Sequence, residues 1–261
     1  MKIPYYHIDA FITDSPFSGN PAGVCLLDDW LPDNTLQNIA FENNLSETAF
    51  IIDKCDHYEL RWFTPTVEVD LCGHATLAPA YLILKHLKPN LKTVKFKSSS
   101  DELIASKAIN DMIELNFPSR PPESCKIPKG LIEAIGLTPS AVYKSRDHML
   151  VYNNEEQIRS ISPNMFALSK VKCFAVIVTS IGNNSDFVSR FFAPKIGVPE
   201  DPVTGSAHST LIPYWANRLM KENLHAYQLS QRGGELYCKH IDDRVTMAGK
   251  CKIHFKGEIH L

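Results

Sequence analysis

The feature that constrains the fold most is an internal repeat whose two copies lie about half the chain apart. The segment Arg61–Val67 resembles Arg190–Ile196 at an offset of 129 residues, and Gly73–Ala75 resembles Gly205–Ala207 at an offset of 132. In both copies an arginine-led strand, a proline turn and a loop lead to a Gly-polar-Ala sequence and then to an apolar segment. This repeat predicts two similar domains in the chain of 261 residues.

The apolar segments that follow the two copies, Ala75–Leu84 and Ser209–Trp215, are predicted to be helices. A helix that is apolar nearly all round has to be buried. Each domain is therefore expected to wrap a sheet around its own central helix. Pro79 and Pro213 fall inside these helices, although an interior proline removes a hydrogen bond and kinks the helix. The local sequence offers no reason why either proline is tolerated.

Shorter patterns predict further elements along the chain. Start signals at Pro32, Asp33 and Asn34 predict a helix that runs to about Asn44. Four prolines between residues 118 and 128 mark the best domain boundary. Strands are predicted at Tyr5–Ile12, Ala22–Leu27, Glu47–Ile52, Tyr58–Thr64, Lys172–Ser180, Phe187–Ala193, Arg244–Gly249 and Lys252–Ile259, the last two joined by a short turn.

Composition excludes several classes of function. Lys and Arg number 27 and Asp and Glu 29, which gives a formal net charge of −2 with neutral His and argues against a nucleic-acid partner or a polybasic membrane anchor. No apolar run approaches the roughly 18 residues of a membrane helix, and the start shows no secretory signal, so we expect no membrane partner and a cytoplasmic protein. The seven cysteines form no C-x-x-C pair and are expected to be free thiols. His and Cys spacing predicts no metal site, and no cofactor motif is present.

The two Gly-polar junctions, Gly73-His74 and Gly205-Ser206, are candidates for an anion site. The first N–H groups of a helix have no partner within the helix and, with the helix dipole, bind an anion without a cationic side chain. Two such helix starts facing each other across a cleft would suit a small substrate that bears a carboxylate. The alternative is that both glycines only permit tight turns.

Four side chains near this predicted cleft can carry chemistry. Glu47 precedes an apolar strand; it is either a solvated strand-end residue or a cleft residue whose partial burial lets it exchange protons near neutral pH. His74 falls in the first turn of a helix, where the positive end of the dipole favours the neutral imidazole. Asp201 precedes the second helix, where capping is the ordinary role, and Ser206 can donate its hydroxyl to a substrate oxygen.

The motifs that contain these residues occur in a recognisable order. They are Asp9–Phe11 with Phe17–Val24, Asn44–Phe50, Arg61–Pro65 with Glu68–Thr76, Phe192–Pro194, Glu200–Ala207, and Ser230–Gly234. In these motifs the sequence resembles the PhzF family, the phenazine-biosynthesis-like isomerases with the diaminopimelate epimerase fold. Residues from about 91 to 171 carry little of the resemblance.

The resemblance implies an α+β fold of two pseudo-symmetric diaminopimelate epimerase-like domains, each a curled, mostly antiparallel sheet around a central helix. The first would span residues 1–118 with about 251–261 returning to it, and the second 119–250, with the active site between them. It implies a cofactor-independent proton shift on a small carboxylate-bearing metabolite, without a metal, and we expect a homodimer. Matched motif by motif, the catalytic residues are Glu47 (the general acid/base), His74, Asp201 and Ser206, and the substrate-binding residues are Gly73, Ala75, Gly205 and Ala207.

The sequence excludes one alternative to a one-carboxylate isomerase and leaves two open. Epimerases of this fold use two cysteines, but Cys72 precedes Gly-His in the first copy and no cysteine lies near Ser206 in the second, so a two-thiol racemisation is excluded and Cys72 is expected to be only a small residue before the helix. A non-catalytic binding or regulatory homologue would keep the same cleft. A serine hydrolase built on Ser206, His208 and Asp201 would lack the usual G-x-S-x-G turn.

Overall fold

The computed structural model describes residues 1–99 and 102–261. The chain divides into two compact units, one formed by Met1–Phe117 with Thr246–Leu261 and the other by Pro118–Val245. The predicted division lay between residues 118 and 119, and the returning segment was predicted from about residue 251 rather than from Thr246. In the part of the chain that the structure describes, none of the helices combines the length and apolar character needed to cross a bilayer.

The first unit begins with a long strand and contains two helices. In chain order its elements are β1 (Lys2–Ile12), β2 (Asn20–Leu27), α1 (Asp33–Asn43), β3 (Glu47–Asp53), β4 (Tyr58–Phe63), β5 (Glu68–Val69), α2 (His74–Leu82) continued by a π-helical turn (Ile83–Leu87), β6 (Thr93–Lys97), β7 (Glu102–Lys107) and β8 (Ile113–Pro118).

The second unit carries more helices. Its elements are β9 (Glu123–Ser124), α3 (Leu131–Ile135), β10 (Ala141–Lys144), β11 (His148–Val151), α4 (Glu155–Ser160), α5 (Met165–Ser169), β12 (Val176–Ile181), β13 (Phe187–Ala193), a 3-10 turn (Pro194–Ile196), β14 (Val198–Asp201), α6 (Gly205–Leu219), β15 (Asn223–Gln228) and β16 (Gly234–Ile241). The final strand, β17 (Arg244–His260), returns to the first unit.

The sheet of the first unit closes on itself around α2. Its strands pair in the order β17, β1, β2, β3, β4, β6, β7 and β8, and β8 pairs again with β17. The β2–β3 and β4–β6 pairings are parallel. The other pairings of this sheet whose register the described residues define are antiparallel. Every residue of α2 except Tyr81 is buried. Because a closed sheet removes the helix from water on all sides, α2 can be apolar all round, as the sequence predicted.

The central helix of the first unit tolerates its interior proline because another donor replaces the missing backbone hydrogen bond. Pro79 has no N–H to donate to the carbonyl of Ala75, four residues earlier. The indole N–H of Trp62, a buried residue on β4, donates to that carbonyl at 3.1 Å. A buried carbonyl that would otherwise cost about 1–3 kcal/mol is therefore satisfied.

The second unit also consists of a sheet with helices packed on it. Its strands pair in the order β9, β10, β11, β12, β13, β15 and β16, with β14 alongside β13. Helix α6 packs on β15 and β16, and α3, α4 and α5 share a core cluster with β10 to β13.

The proline in the central helix of the second unit is compensated by a backbone donor. Within α6, Pro213 has no N–H to donate to the carbonyl of Ser209, and this carbonyl accepts a hydrogen bond from the backbone N–H of Arg120 at 2.9 Å.

The repeated arginine makes the same contacts in both units. Arg61 forms a bidentate ion pair with Glu68 and lies over the ring of Phe63, 5.1 Å from its centroid. In the second unit, Arg190 forms a bidentate ion pair with Glu200 and lies 4.9 Å from the centroid of a phenylalanine two residues along the same strand. The arginine thus fastens a neighbouring short strand, β5 or β14, before the loop that leads to each central helix.

Three predicted strands differ from the observed ones. The two C-terminal strands are a single strand, β17, because residues 250–260 pair with β1 across two bulges and no turn separates them. The ring of Phe11, a bulged residue with φ +58°, lies against Gly249, where a Cβ would come within 2.4 Å of it. The strand predicted from Lys172 begins only at Val176, because residues 172–175 turn aside from the sheet.

The compensation of Pro79 by the Trp62 indole can be tested by Trp62→Phe. This variant keeps an aromatic ring but leaves the Ala75 carbonyl buried without its donor, so we expect a loss of about 2 kcal/mol in the free energy of unfolding, measured with guanidinium chloride. The matched control is Trp30→Phe, since the Trp30 indole donates to the half-buried Glu59, which water can reach. Equal losses in the two variants would show that the indole does not compensate for the proline.

Candidate active site

Glu47 and His74 come together inside the first unit. Glu47 is the first residue of β3, and His74 is the first residue of α2. A carboxylate oxygen of Glu47 lies 3.1 Å from Nε2 of His74, where the two side chains are only 15 % and 3 % exposed. These two atoms are close enough for an ion pair but are not aligned as a hydrogen bond, and neither atom has another hydrogen-bond partner among the described residues. The pair therefore has bonding capacity left for a ligand.

The other nitrogen of His74 is held by two buried residues. The Asn20 amide lies 3.0 Å from Nδ1, and the Cys72 sulfur lies 3.5 Å from the same atom. With the Asn20 amide nitrogen facing the ring, Nδ1 accepts and the proton of the neutral imidazole is on Nε2, toward Glu47. A protonated ring donates from both nitrogens, so the amide oxygen of Asn20 then has to face Nδ1. Asn20 can thus hold the ring in either charge state.

The electrostatics of this site favour a charged imidazole. Burial by itself lowers the pKa of His74, but Cys72 and Glu47 raise it, and the result lies well above the usual value. Cys72 is a neutral thiol near pH 7, because burial and the nearby Glu47 raise the pKa of Cys72 to about 11. The charge that acts on His74 is therefore that of the Glu47 carboxylate. The helix dipole predicted a neutral imidazole, and the influence of Cys72 and Glu47 on the pKa of His74 runs in the opposite direction.

Glu47, Cys72 and His74 are also the group best placed to hold a cation. One ligand atom from each lies within 4.8 Å of the others. The set offers an oxygen, a sulfur and a nitrogen, a combination that zinc accepts once the thiol loses its proton. Cys72 thus lies beside Glu47 and His74, and its expected role as a small residue before the helix stays a prediction.

Both predicted anion-binding junctions lie at helix starts. Gly73 immediately precedes α2 and has ordinary helical dihedrals (φ −68°, ψ −58°), so it is not there to provide a left-handed turn. Gly205 is the first residue of α6, followed by Ser206 and Ala207. The first N–H groups of each helix, which include that of Ala75, are the donors an anion would use. That the two starts line one cleft stays a prediction.

Asp201, in the second unit, was expected to have the ordinary role of capping α6, but it does not cap this helix. Its carboxylate accepts a hydrogen bond at 2.5 Å from the hydroxyl of Thr204, the residue before the helix, and no side chain caps the helix. Gln228 clamps this turn from β15: it accepts from the N–H of Thr204 at 2.9 Å and donates to the carbonyl of Asp201 at 2.8 Å. Ser206 accepts from the Arg146 guanidinium at 3.0 Å.

The residues that support the two helix starts were not predicted from the sequence. Asn20, Gln228 and Arg146 come from strands or loops far from Glu47, His74, Asp201 and Ser206 in sequence. A buried amide has no pattern of its own in a single sequence, since only the fold shows which backbone groups it must satisfy. The motif around Asn20 belonged to the family resemblance, but it carried no indication of a contact with His74.

The serine hydrolase alternative is wrong. His208 is fully buried, and its Nδ1 donates to the carbonyl of Thr204 at 2.8 Å rather than to Asp201. Its Nε2 has no hydrogen-bond partner in the described part of the chain, so it does not contact the hydroxyl of Ser206. The sequence neighbours Asp201, Ser206 and His208 therefore form no nucleophile–base–acid relay.

Comparison with known proteins agrees with this fold. A probable proline racemase from Agrobacterium radiobacter has the same fold, with a TM-score of 0.67 at 9 % identity over 99 % of this chain and 93 % of the other. The architecture is that of the diaminopimelate-epimerase-like proteins, α+β with two pseudo-symmetric halves.

Within that class, the chain belongs to the phenazine biosynthesis-like protein family (PhzC-PhzF), whose model matches residues 8–257. It is 46 % identical, over the whole length of both chains, to an uncharacterised isomerase of Pseudomonas aeruginosa. It also matches the crystal structure of a PhzF-family phenazine biosynthesis protein from Enterococcus faecalis, with a TM-score of 0.96 at 45 % identity over 100 % of both chains. The cytoplasmic location and the homodimer stay predictions.

The burial of His208 predicts a pH dependence of stability. Burial lowers the pKa of His208 to about 4, whereas an unfolded histidine titrates near 6.5. Between these values the unfolded chain binds more protons, so the free energy of unfolding should fall as the pH is lowered, by about 3 kcal/mol from this residue.

This contribution is measured as the difference between the wild type and His208→Gln, in denaturant titrations from pH 4 to pH 7. The exposed His86 provides the control, because His86→Gln should leave the slope unchanged. NMR of the wild-type imidazole should show a neutral ring at pH 5. A protonated His208 at that pH would contradict the prediction.

Proposed function

We propose that the protein is an isomerase that moves a proton between two carbon atoms of a small carboxylate-bearing metabolite without a cofactor. Glu47 is the group that takes the proton and returns it. The observation that carries this proposal is the contact of the shielded Glu47 carboxylate with the nearly buried His74 at 3.1 Å. The relatives named isomerases support the reaction class.

The reaction needs only one carboxylate. Glu47 takes a proton from a carbon of the substrate, and the electron pair of the broken C–H bond moves into the adjoining π system. The same carboxylic acid then gives the proton to a second carbon on the same face, which leaves an isomer and the original carboxylate. A sole carrier of this kind needs to be shielded from water so that the proton is not lost, and the Glu47 side chain is 15 % exposed.

His74 supports this proton transfer through its charge. Its Nε2 lies 3.1 Å from the Glu47 carboxylate and, when it carries a proton, can stabilise the negative charge that develops on a substrate oxygen. Asn20 holds the ring from behind at Nδ1. His74 therefore acts as an electrophilic group rather than as the proton carrier.

The substrate carboxylate is assigned to the helix starts. The donors assigned to it are the first-turn N–H groups at Gly73 and Ala75 in the first unit and at Gly205 and Ala207 in the second, with the Ser206 hydroxyl as an additional donor. Asp201 and Gln228 fix the turn before α6 and so set the direction of these donors.

The single thiol of the site argues against racemisation. A racemase of this fold needs a second thiol on the opposite face, and Thr204 stands in the position of the second copy that corresponds to Cys72. The high pKa of Cys72, about 11, keeps its thiol protonated and so makes it a poor base at neutral pH. Glu47 is therefore the better acceptor of a carbon-bound proton.

The decisive variant is Glu47→Gln, which keeps the shape of the side chain and removes its titratable group. We expect the substrate still to bind while turnover falls by about 10⁴-fold, the upper end of general acid–base effects. The measurement is solvent deuterium uptake into carboxylate metabolites, followed by NMR. Milder losses are expected for His74→Ala and Asp201→Ala, and Ser206→Ala should chiefly weaken binding.

The matched control is the exposed Glu42, where the same Glu→Gln change should leave exchange unaltered. Wild-type exchange in Glu47→Gln would remove Glu47 from the mechanism and make His74 the next candidate. Binding without any deuterium uptake by the wild type would favour the non-catalytic homologue.

The roles of the thiol and of a cation are tested by Cys72→Ser and by chelation. If the thiol carries no proton and holds no metal, Cys72→Ser should retain deuterium uptake within about threefold, and dialysis against EDTA should leave the wild-type rate unchanged. A loss in Cys72→Ser alone would assign the thiol a part in the chemistry. A loss after EDTA that zinc restores would replace the metal-free mechanism.

A further inference from the structure

A pocket with its own chemistry lies in the second unit. It has a volume of about 340 Å³, within the range of small-molecule sites. It is formed where β10 ends, β11 begins, and the irregular segment before β12 meets the 3-10 turn. Its lining residues are Lys144, Arg146, His148, Lys172, Cys173, Phe174, Lys195 and Ile196.

The charge of this pocket is strongly positive. Three lysines and one arginine line it, and no carboxylate does. Arg146 forms a bidentate ion pair with the buried Asp147, which compensates one of the four charges. Within the described part of the chain, the ammonium groups of Lys144, Lys172 and Lys195 form no ion pair with a carboxylate. Three uncompensated cations around one pocket favour an anion with more than one negative oxygen.

A buried histidine adds an unused polar atom. His148 is 6 % exposed, and its Nδ1 has no hydrogen-bond partner among the described residues. Burial and the nearby Lys144 lower the pKa of His148, so the ring is neutral at pH 7 and adds no charge of its own. Buried polar atoms in proteins are nearly always satisfied by protein, water or ligand. His148 thus contributes a neutral, largely buried ring to the wall of the pocket.

The remaining wall of the pocket is apolar. Phe174 is 46 % exposed and Ile196 45 %, although both are large hydrophobic residues. The Arg146 guanidinium already lies over the Phe174 ring, 5.2 Å from its centroid. Planar cations and rings of this kind stack readily on flat aromatic ligands. The wall thus fits an apolar, planar part next to the anionic part.

From these features we infer that this pocket binds a small molecule in which phosphate or carboxylate groups are joined to a flat ring. The lysines hold the anionic groups, and Phe174 and Ile196 cover the ring. The site uses neither Glu47 nor His74 and does not depend on the proposed isomerase activity. Arg146 connects it to the start of α6, because the same guanidinium donates to Ser206 at 3.0 Å. A ligand that takes hold of Arg146 would therefore change the partner of Ser206.

The test is calorimetric titration of the full chain with three probes at low salt: ADP, which has both parts, inorganic pyrophosphate, which has only the anionic part, and adenosine, which has only the ring. We expect ADP to bind most tightly, pyrophosphate more weakly, and adenosine weakest. In the double variant Lys172→Ala/Lys195→Ala, ADP should bind at least about tenfold more weakly, because two charge contacts are lost.

The matched control is Lys126→Ala/Lys129→Ala, which removes the same charge from exposed positions of the same unit outside the pocket. It should bind ADP within about twofold of the wild type, which separates a local contact from the effect of net charge. Failure of the wild type to bind either ADP or pyrophosphate, equal losses in the two double variants, or adenosine binding as tight as that of ADP would each overturn the inference. Because Glu47→Gln should bind ADP like the wild type, failure here is distinct from failure of the isomerase proposal.

Discussion

The structure of the first unit depends on the burial of an apolar helix, α2, inside a closed sheet. Burial on every side means that each backbone group of the helix needs a partner within the protein. The interior Pro79 breaks this rule at one carbonyl, and the Trp62 indole restores it. The second unit meets the same demand at Ser209 with the N–H of Arg120. Both central helices thus require a specific donor from another part of their own unit.

The same burial creates the chemistry at the start of α2. The first turn of the helix carries its unpaired N–H groups into a protected region, and His74 is held there between Asn20 and Glu47. In such a place a carboxylate and an imidazole interact far more strongly than they do in water. The site follows from the enclosed helix because a surface helix would expose both groups to solvent and weaken their coupling.

The second unit repeats the helix start of the first, but different side chains surround it. Its helix start is fastened by side chains, with Gln228 and Asp201 on either side of Thr204. Arg146 reaches that start from the edge of a basic pocket that lies outside the repeated motifs. The repeat therefore accounts for the framework of the helix starts, while the segments between the repeated motifs supply the individual chemistry of each unit.

The sequence by itself determined the repeat, the two buried central helices and the candidate residues Glu47 and His74, because apolar periodicity and short motifs are local properties of the chain. It did not determine that residues 244–260 form one strand, since that depends on pairing with β1 at the other end of the chain. It also did not show the surroundings of His74, because the helix dipole is visible in the sequence and the carboxylate at 3.1 Å is not. Contacts between distant residues, such as Trp62 with Ala75 or Arg146 with Ser206, exist only once the sheets are closed. Only the tertiary structure could therefore decide how each proline is compensated and how each site is charged.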